Sequence, residues 1–166
     1  MLKQAVSGFI DAGIATITIK IRNPTSRAIL HDWAEYLSAS TGSVIEVCSE
    51  LNLGHHLAQA DILLCHGSAT STLEALYHRV TPVIAPSHND TYFVAQRCAD
   101  SNTAVTIDWA TDFTRAHTRA AATEALHSPR IAKGIDRFIL DNDGLPPAST
   151  LAEQLRRSDR RGWWDS

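Results

Sequence analysis

With 166 residues, 44% of them apolar and 20% charged, the chain has the make-up of one globular domain large enough to bury a core. A net charge of −3 argues against the basic surface of a nucleic-acid binder, and no apolar run approaches the roughly 18–20 residues that span a bilayer. Cys48, Cys65 and Cys98 are widely spaced and odd in number. We therefore expect reduced thiols in a cytoplasmic protein, not a disulfide framework.

Leu2, Val6, Phe9 and Ile10 fall at helical spacing, in a segment that lacks the apolar core and cleavage site of a signal peptide. Gly13 ends that helix. Ile14 to Ile21 alternates and is rich in β-branched residues, which predicts a strand. After the turn Asn23-Pro24-Thr25, Ser26 can cap a helix running to about Ala39. Ser43 to Cys48 is a second strand, and His55 to Gln59 a short helix. The histidines at positions 31, 55, 56, 66, 78, 88, 117 and 127 show no zinc spacing with cysteine or carboxylate, so no metal is expected.

The next stretch, Ala60 to Leu76, is the one the chain is organised around. Ile62 to Cys65 is a short apolar run, as in a strand covered on both faces. Gly67, Ser68 and Ala69 are small enough to let a ligand approach the backbone. Thr70, Ser71 or Thr72 can cap the helix that follows, and Ser71 with Glu74 fits a capping box. The free amides and dipole of such a helix start favour an anion, here a diphosphate. The pattern has an ordinary reading as well. Strand, small-residue turn and helix recur throughout α/β proteins, and most such turns bind nothing.

Beyond it, Thr81 to Pro86 is another buried strand, and the loop Ser87 to Thr91 leads into a helix over Tyr92 to Cys98. Ala104 to Ile107 is a last strand. Asp112 to Leu126, Ile131 to Leu140 and Ala148 to Arg157 predict three helices. Alternating strands and helices make the fold α/β, a Rossmann-like parallel sheet with helices on both faces. Ligands of such sheets sit beyond the carboxyl ends of the strands, where loops 66–72 and 87–91 both lie.

Three segments together carry a resemblance: His66-Gly-Ser-Ala-Thr-Ser-Thr-Leu-Glu-Ala-Leu76, Val80-Thr-Pro-Val-Ile-Ala-Pro86 and Asn89-Asp90. They resemble the donor-binding signature of nucleotide-sugar glycosyltransferases of the two-domain GT-B fold, in the carboxyl-terminal half. Glu124 to Arg130, Ile131 to Leu140 and Asp143-Gly144 are similar to the helical end of that half, so the resemblance spans about residues 14–157. It implies that residues 1–157 form a donor-binding domain, with 158–166 as a tail, and that the donor is a nucleoside diphosphate sugar, UDP before others. It implies that His66 meets the diphosphate and that Gly67, Ser68, Ala69, Thr70, Ser71 and Thr72 cradle its oxygens. Glu74 would accept hydrogen bonds from the ribose, and Asp90, with Thr91, would meet the sugar. No metal or other cofactor is implied. Each residue also has a plainer role: Glu74 in a capping box, Asp90 as a helix cap, His66 bonded to a neighbouring carbonyl.

The sequence departs from the pattern in several places. Ser68 replaces a second glycine, Arg79-Val80 stands where a glycine is usual, and Thr91 replaces a glutamine. The family's first strand and its glycine-rich turn are expected to be missing before Met1. Its acceptor half has no counterpart here, so the expectation is either a donor half that works with a partner chain carrying an acceptor domain or a shortened relative, and in both cases binding without turnover by this chain alone. Four arginines and two tryptophans in residues 156–166 suit a partner surface or an anionic membrane surface, or else a solvated tail. Two other readings stay open. One is a degenerate, non-catalytic module of the same fold; the other is half of a nucleotide-sugar epimerase or capsule-type transferase.

Overall fold

The computed structural model describes residues 2–142. Helices and strands alternate: α1 (Leu2–Asp11), β1 (Thr16–Lys20), α2 (Pro24–Thr41), β2 (Val44–Cys48), α3 (Leu53–Leu57), β3 (Ile62–Cys65), α4 (Ala69–Tyr77), β4 (Thr81–Ile84), α5 (Asn89–Asp100), β5 (Val105–Thr106), α6 (Arg115–His127) and α7 (Pro129–Asp141). The helix expected over 148–157 and the tail 158–166 lie outside the described residues.

Among the described residues all strand pairs are parallel, as expected for strands joined by helical crossovers. They form two sheets where alternation alone suggested one. β1 pairs with β2, Thr16 opposite Val44, and the other sheet runs β3-β4-β5, with Ile62 opposite Thr81 and Val83 opposite Val105. β1 and β3 do not pair with each other. β4 is buried along its whole length, whereas β3 is half-buried throughout. Pro82 sits inside β4 without loss because β5 begins pairing only at Val83, beyond the position where the proline lacks its donor.

The main core lies between the three-stranded sheet and its helices. Leu76 of α4, Val83 of β4, Val105 of β5, Ala121 and Ala125 of α6, and Ile131 and Ile135 of α7 are all buried there. Burying each of these larger side chains contributes roughly 1.5–3 kcal/mol. α1 docks on α6 through a close crossing. A side chain at Gly8 would run into the Arg115 carbonyl at 2.6 Å, and Arg115 holds Asp11 through two hydrogen bonds of 2.5 and 2.7 Å. α1 also reaches α2, with Lys3 Nζ 5.3 Å from the centre of the Trp33 ring.

The starts of several helices differ from the sequence expectation by a few residues, for local reasons. α2 is capped by Asn23, whose side chain accepts from the Ser26 amide at 2.9 Å, with Pro24 pre-set at the first helical position. α5 begins at Asn89, three residues early, because the Thr91 hydroxyl accepts from the Ser87 and His88 amides at 3.1 and 3.0 Å.

Candidate functional site

β3 ends at Cys65, and His66 is exposed beyond it. Gly67 then turns the chain at φ +89°. No other residue fits there: a Cβ would meet Ile84 Cγ2 at 2.7 Å and the Thr91 carbonyl at 3.3 Å. The same closeness seats the His66–Gly67 turn against the first turn of α5, so the two expected loops adjoin.

The cap of α4 is Ser68, not Thr70, Ser71 or Thr72. Its Oγ accepts from the Ser71 amide at 3.3 Å and donates to Ser71 Oγ at 3.0 Å. The helix therefore starts at Ala69, and the Ser71–Glu74 capping box does not form. Ala69 and Thr70 amides, and those of Asn89 and Asp90 in α5, find no acceptor among the described residues. Two helix starts thus open on one edge of the sheet with their donors free, an arrangement that favours negative charge.

Released from capping, Glu74 is half-buried, and its carboxylate makes no hydrogen bond or ion pair among the described residues. Its Oε1 lies 3.2 Å from where a side chain on Gly54 would begin, so the carboxylate lies alongside the start of α3. Thr70, Ser71 and Glu74 stand three and four residues apart and share one face of α4. An anion at the helix start and a hydroxyl-bearing group beside Glu74 can be met by one molecule.

Two of the expected residues have other roles. Thr72 is only 2% exposed, and its hydroxyl is buried without a hydrogen-bond partner. Thr91 is 3% exposed, and its hydroxyl is used in the α5 cap, where it also donates to the His88 carbonyl at 2.7 Å. Neither side chain reaches the open edge. Asp90 does, exposed in the first turn of α5, where its charge suits the helix dipole. Asp90 does not cap that helix, since His88 holds the cap position.

Sequence reasoning missed Gly54 and Asn52. Asn52 caps α3 by accepting from the His55 amide at 3.2 Å, and Gly54 leaves the space that the Glu74 carboxylate borders. Only the tertiary approach of α3 to α4 reveals them. Behind the turn, burial pushes the Cys65 thiol above its ordinary range, against the opposing effect of the Gly67 amide. Burial raises Cys98 as well, so neither thiol is poised as a nucleophile. All three cysteines are free.

Two concavities among the described residues lie away from this edge. One, of about 530 Å³, runs along α6 beside Ala116, Ala120 and Thr123. Another, of about 390 Å³, lies at the opposite edge of the sheet, between Asp61, Arg79 and Ile135. The candidate site is a ledge on which His66, Ala69, Thr70, Asn89 and Asp90 are exposed.

No protein-family profile matches the chain, and no curated protein sequence does. Solved structures of similar fold are glycosyltransferases. The spinosyn rhamnosyltransferase SpnG matches with a TM-score of 0.69 at 16% identity, over 94% of this chain and 40% of that one. The glycotransferase of kitacinnamycin matches at 0.63 and 21%, over 88% and 44%. The glycosyltransferase VinC, in complex with dTDP, matches at 0.58 and 19%, over 89% and 41%. At these identities the likeness establishes the fold, an α/β domain of the kind that makes up part of a GT-B glycosyltransferase. The chain spans less than half the length of the structures it matches.

Proposed function

We propose that this chain is the donor-binding domain of a glycosyltransferase, which takes a sugar from a nucleoside diphosphate to an acceptor held by a partner domain. The observation that carries this reading is the ledge itself: His66, the free amides of two helix starts, and an unpaired Glu74 on the same face as Thr70 and Ser71. The diphosphate lies against Ser68, Ala69, Thr70 and Ser71, with His66 donating to an oxygen. The ribose lies toward Glu74, and Asp90 borders the sugar.

As the bond between sugar and phosphate breaks, negative charge grows on the leaving diphosphate. Fixed amide donors then stabilise the transition state more than the bound donor. His66 adds a charge-assisted hydrogen bond where that charge appears. The acceptor and the base that activates it come from the partner domain.

UDP is favoured over dTDP because Glu74 suits a diol, and deoxyribose presents one hydroxyl fewer. Calorimetric titration of the purified chain with UDP, UDP-sugars and dTDP tests the reading. Losing a hydrogen bond to a charged group costs about 1.5–3 kcal/mol, so Glu74→Ala should weaken UDP roughly ten- to a hundredfold and dTDP less. His66→Ala should weaken both alike. Binding of neither nucleotide to the folded chain would favour the degenerate module instead. The engagement of the Thr91 hydroxyl in the α5 cap is the observation on that side, since it takes that hydroxyl away from the sugar.

A further inference from the structure

Three polar side chains converge on a residue that has no side chain of its own. Gly54 lies in the first turn of α3, and a Cβ built on it would stand 3.2 Å from Glu74 Oε1, 3.8 Å from His78 Nε2 and 4.0 Å from Asn52 Oδ1. Glu74 and His78 are four residues apart and share one face of α4. His78 closes that helix and is exposed, and its imidazole makes no hydrogen bond or ion pair among the described residues. Asn52 spends its Oδ1 on the His55 amide, which leaves its side-chain N–H donors without an acceptor there.

The three groups differ in what they offer. A carboxylate only accepts hydrogen bonds, a carboxamide N–H donates, and a neutral imidazole carries one nitrogen of each kind. Each hydroxyl of a vicinal diol both donates and accepts. A lone carboxylate therefore satisfies the protons of a diol and leaves its oxygens unanswered. An imidazole N–H beside that carboxylate answers one of them. Ser71, at the anion-favouring start of α4, is about 4.5 Å along the axis from Glu74, so one molecule can span both. Helical side chains lean toward the helix start, which brings His78 back to the place that Glu74 borders.

We infer that His78 is a further specificity-determining residue, which reads the ribose diol of the nucleotide together with Glu74. Glu74 accepts from the hydroxyls, His78 donates from Nε2 to one of their oxygens, and Asn52 borders the same pair. Gly54 keeps the two α4 side chains where they are. A methyl group there, 3.2 Å from Oε1, would press the Glu74 carboxylate aside by a few tenths of an ångström. A sugar without the diol gains nothing from His78. The inference rests on the nucleotide reading proposed above and extends it to residues outside the 66–74 segment.

Calorimetric titration of the whole chain with UDP and with 2′,3′-dideoxy-UDP tests it. The two ligands share base and diphosphate, so the ratio of their affinities isolates the diol. His78→Ala should weaken UDP about two- to tenfold, as for one hydrogen bond, and shrink the ratio by the same factor. His78→Gln keeps a donor at that position and should recover most of the loss. Gly54→Ala should shrink the ratio as well, although alanine suits the α3 helix better than glycine does. Should His78→Ala fail to fold, the unmodified chain gives the answer by NMR. The Cε1–H signal of His78 should then shift on addition of UDP and hold its place with the dideoxy analogue. A ratio unchanged in His78→Ala and Gly54→Ala, yet reduced in Glu74→Ala, overturns the inference and leaves the nucleotide reading standing. Equal weakening of both ligands by His78→Ala overturns it too, since the imidazole would then act on something other than the diol. Binding of neither ligand to the folded, unmodified chain overturns both.

Discussion

Gly67 and Arg79 both hold left-handed backbone beside the α4 helix. Gly67 holds φ +89° and would place a Cβ 2.7 Å from Ile84. Gly67→Ala should therefore cost about 1–3 kcal/mol and carry nucleotide affinity down with it, measured by urea unfolding and titration on the same preparation. Arg79 is the reverse case. It adopts φ +60°, a conformation glycine takes freely, and offsets it with an exposed ion pair to Asp136 of α7. Such a pair contributes roughly 0–1 kcal/mol. Arg79→Ala loses the pair and keeps the strained backbone, whereas Arg79→Gly loses the pair and relieves it. The glycine variant should be the more stable of the two by about 1 kcal/mol in matched denaturation curves. Equal stabilities would mean that the left-handed turn carries no strain. The departure from glycine visible in the sequence thus becomes a local exchange of backbone freedom for a tie between α4 and α7.

At the scale of elements, the type of each described element was legible, as were the starts of α1, β3 and β4, while the starts of several helices were not. Period-2 alternation over Ile14–Ile21 and helical spacing over Leu2–Ile10 both correspond to structure. Helix starts moved because the side chains that decide them lie in the preceding turn. Asn23 rather than Ser26, Ser68 rather than Thr70 to Thr72, and His88 with Thr91 set the caps. For the site this mattered, since moving the α4 cap to Ser68 frees Glu74 and leaves the amides of Ala69 and Thr70 open. Removing that cap with Ser68→Ala should lower stability by about 1 kcal/mol. Docking of α1 on α6 has its own signature. Arg115, through its hydrogen bonds first, holds the Asp11 carboxyl below its ordinary 3.8. A lowered carboxylate stabilises the fold above the unfolded value, and that contribution is lost as pH falls through the folded one. Asp112 is lowered too, chiefly by the Asp108 amide, and acts in the same direction. Stability should thus decline as pH drops below about 4, and Asp11→Asn should flatten that decline without abolishing it. A thermal-melt series across pH 3–6 would show it; identical curves for the two proteins would deny the Asp11–Arg115 pair a part in docking.

At the scale of the whole molecule, the sequence shows which faces are apolar but not which edges meet. That is why the strands were legible while the separation into two sheets was not. Alternation along Thr16–Lys20 says nothing about what lies beside it, and Ile62–Cys65 reads as fully covered although each of its residues is half-exposed. With β1 and β3 unpaired, the β1–α2–β2 unit meets the larger sheet's helices through α1 and through the approach of α3 to α4. The crossing of α1 over α6 depends on Gly8, where a Cβ would come within 2.6 Å of the Arg115 carbonyl and 2.8 Å of the Arg119 amide nitrogen. Both of those atoms belong to helix backbone, which cannot shift aside as a flexible side chain can. Gly8→Ala should therefore lift α1 off α6 and loosen the smaller sheet first. In hydrogen exchange, the Ile17 and Ile19 amides, which face β2, should lose protection by a larger factor than the Leu63 and Cys65 amides, which face β4. A parallel loss at all four positions would mean that the two sheets unfold as one unit and that their coupling does not run through α1. Unequal loss would mark the smaller sheet as the less stable part of the molecule and α1 as its tie to the larger one.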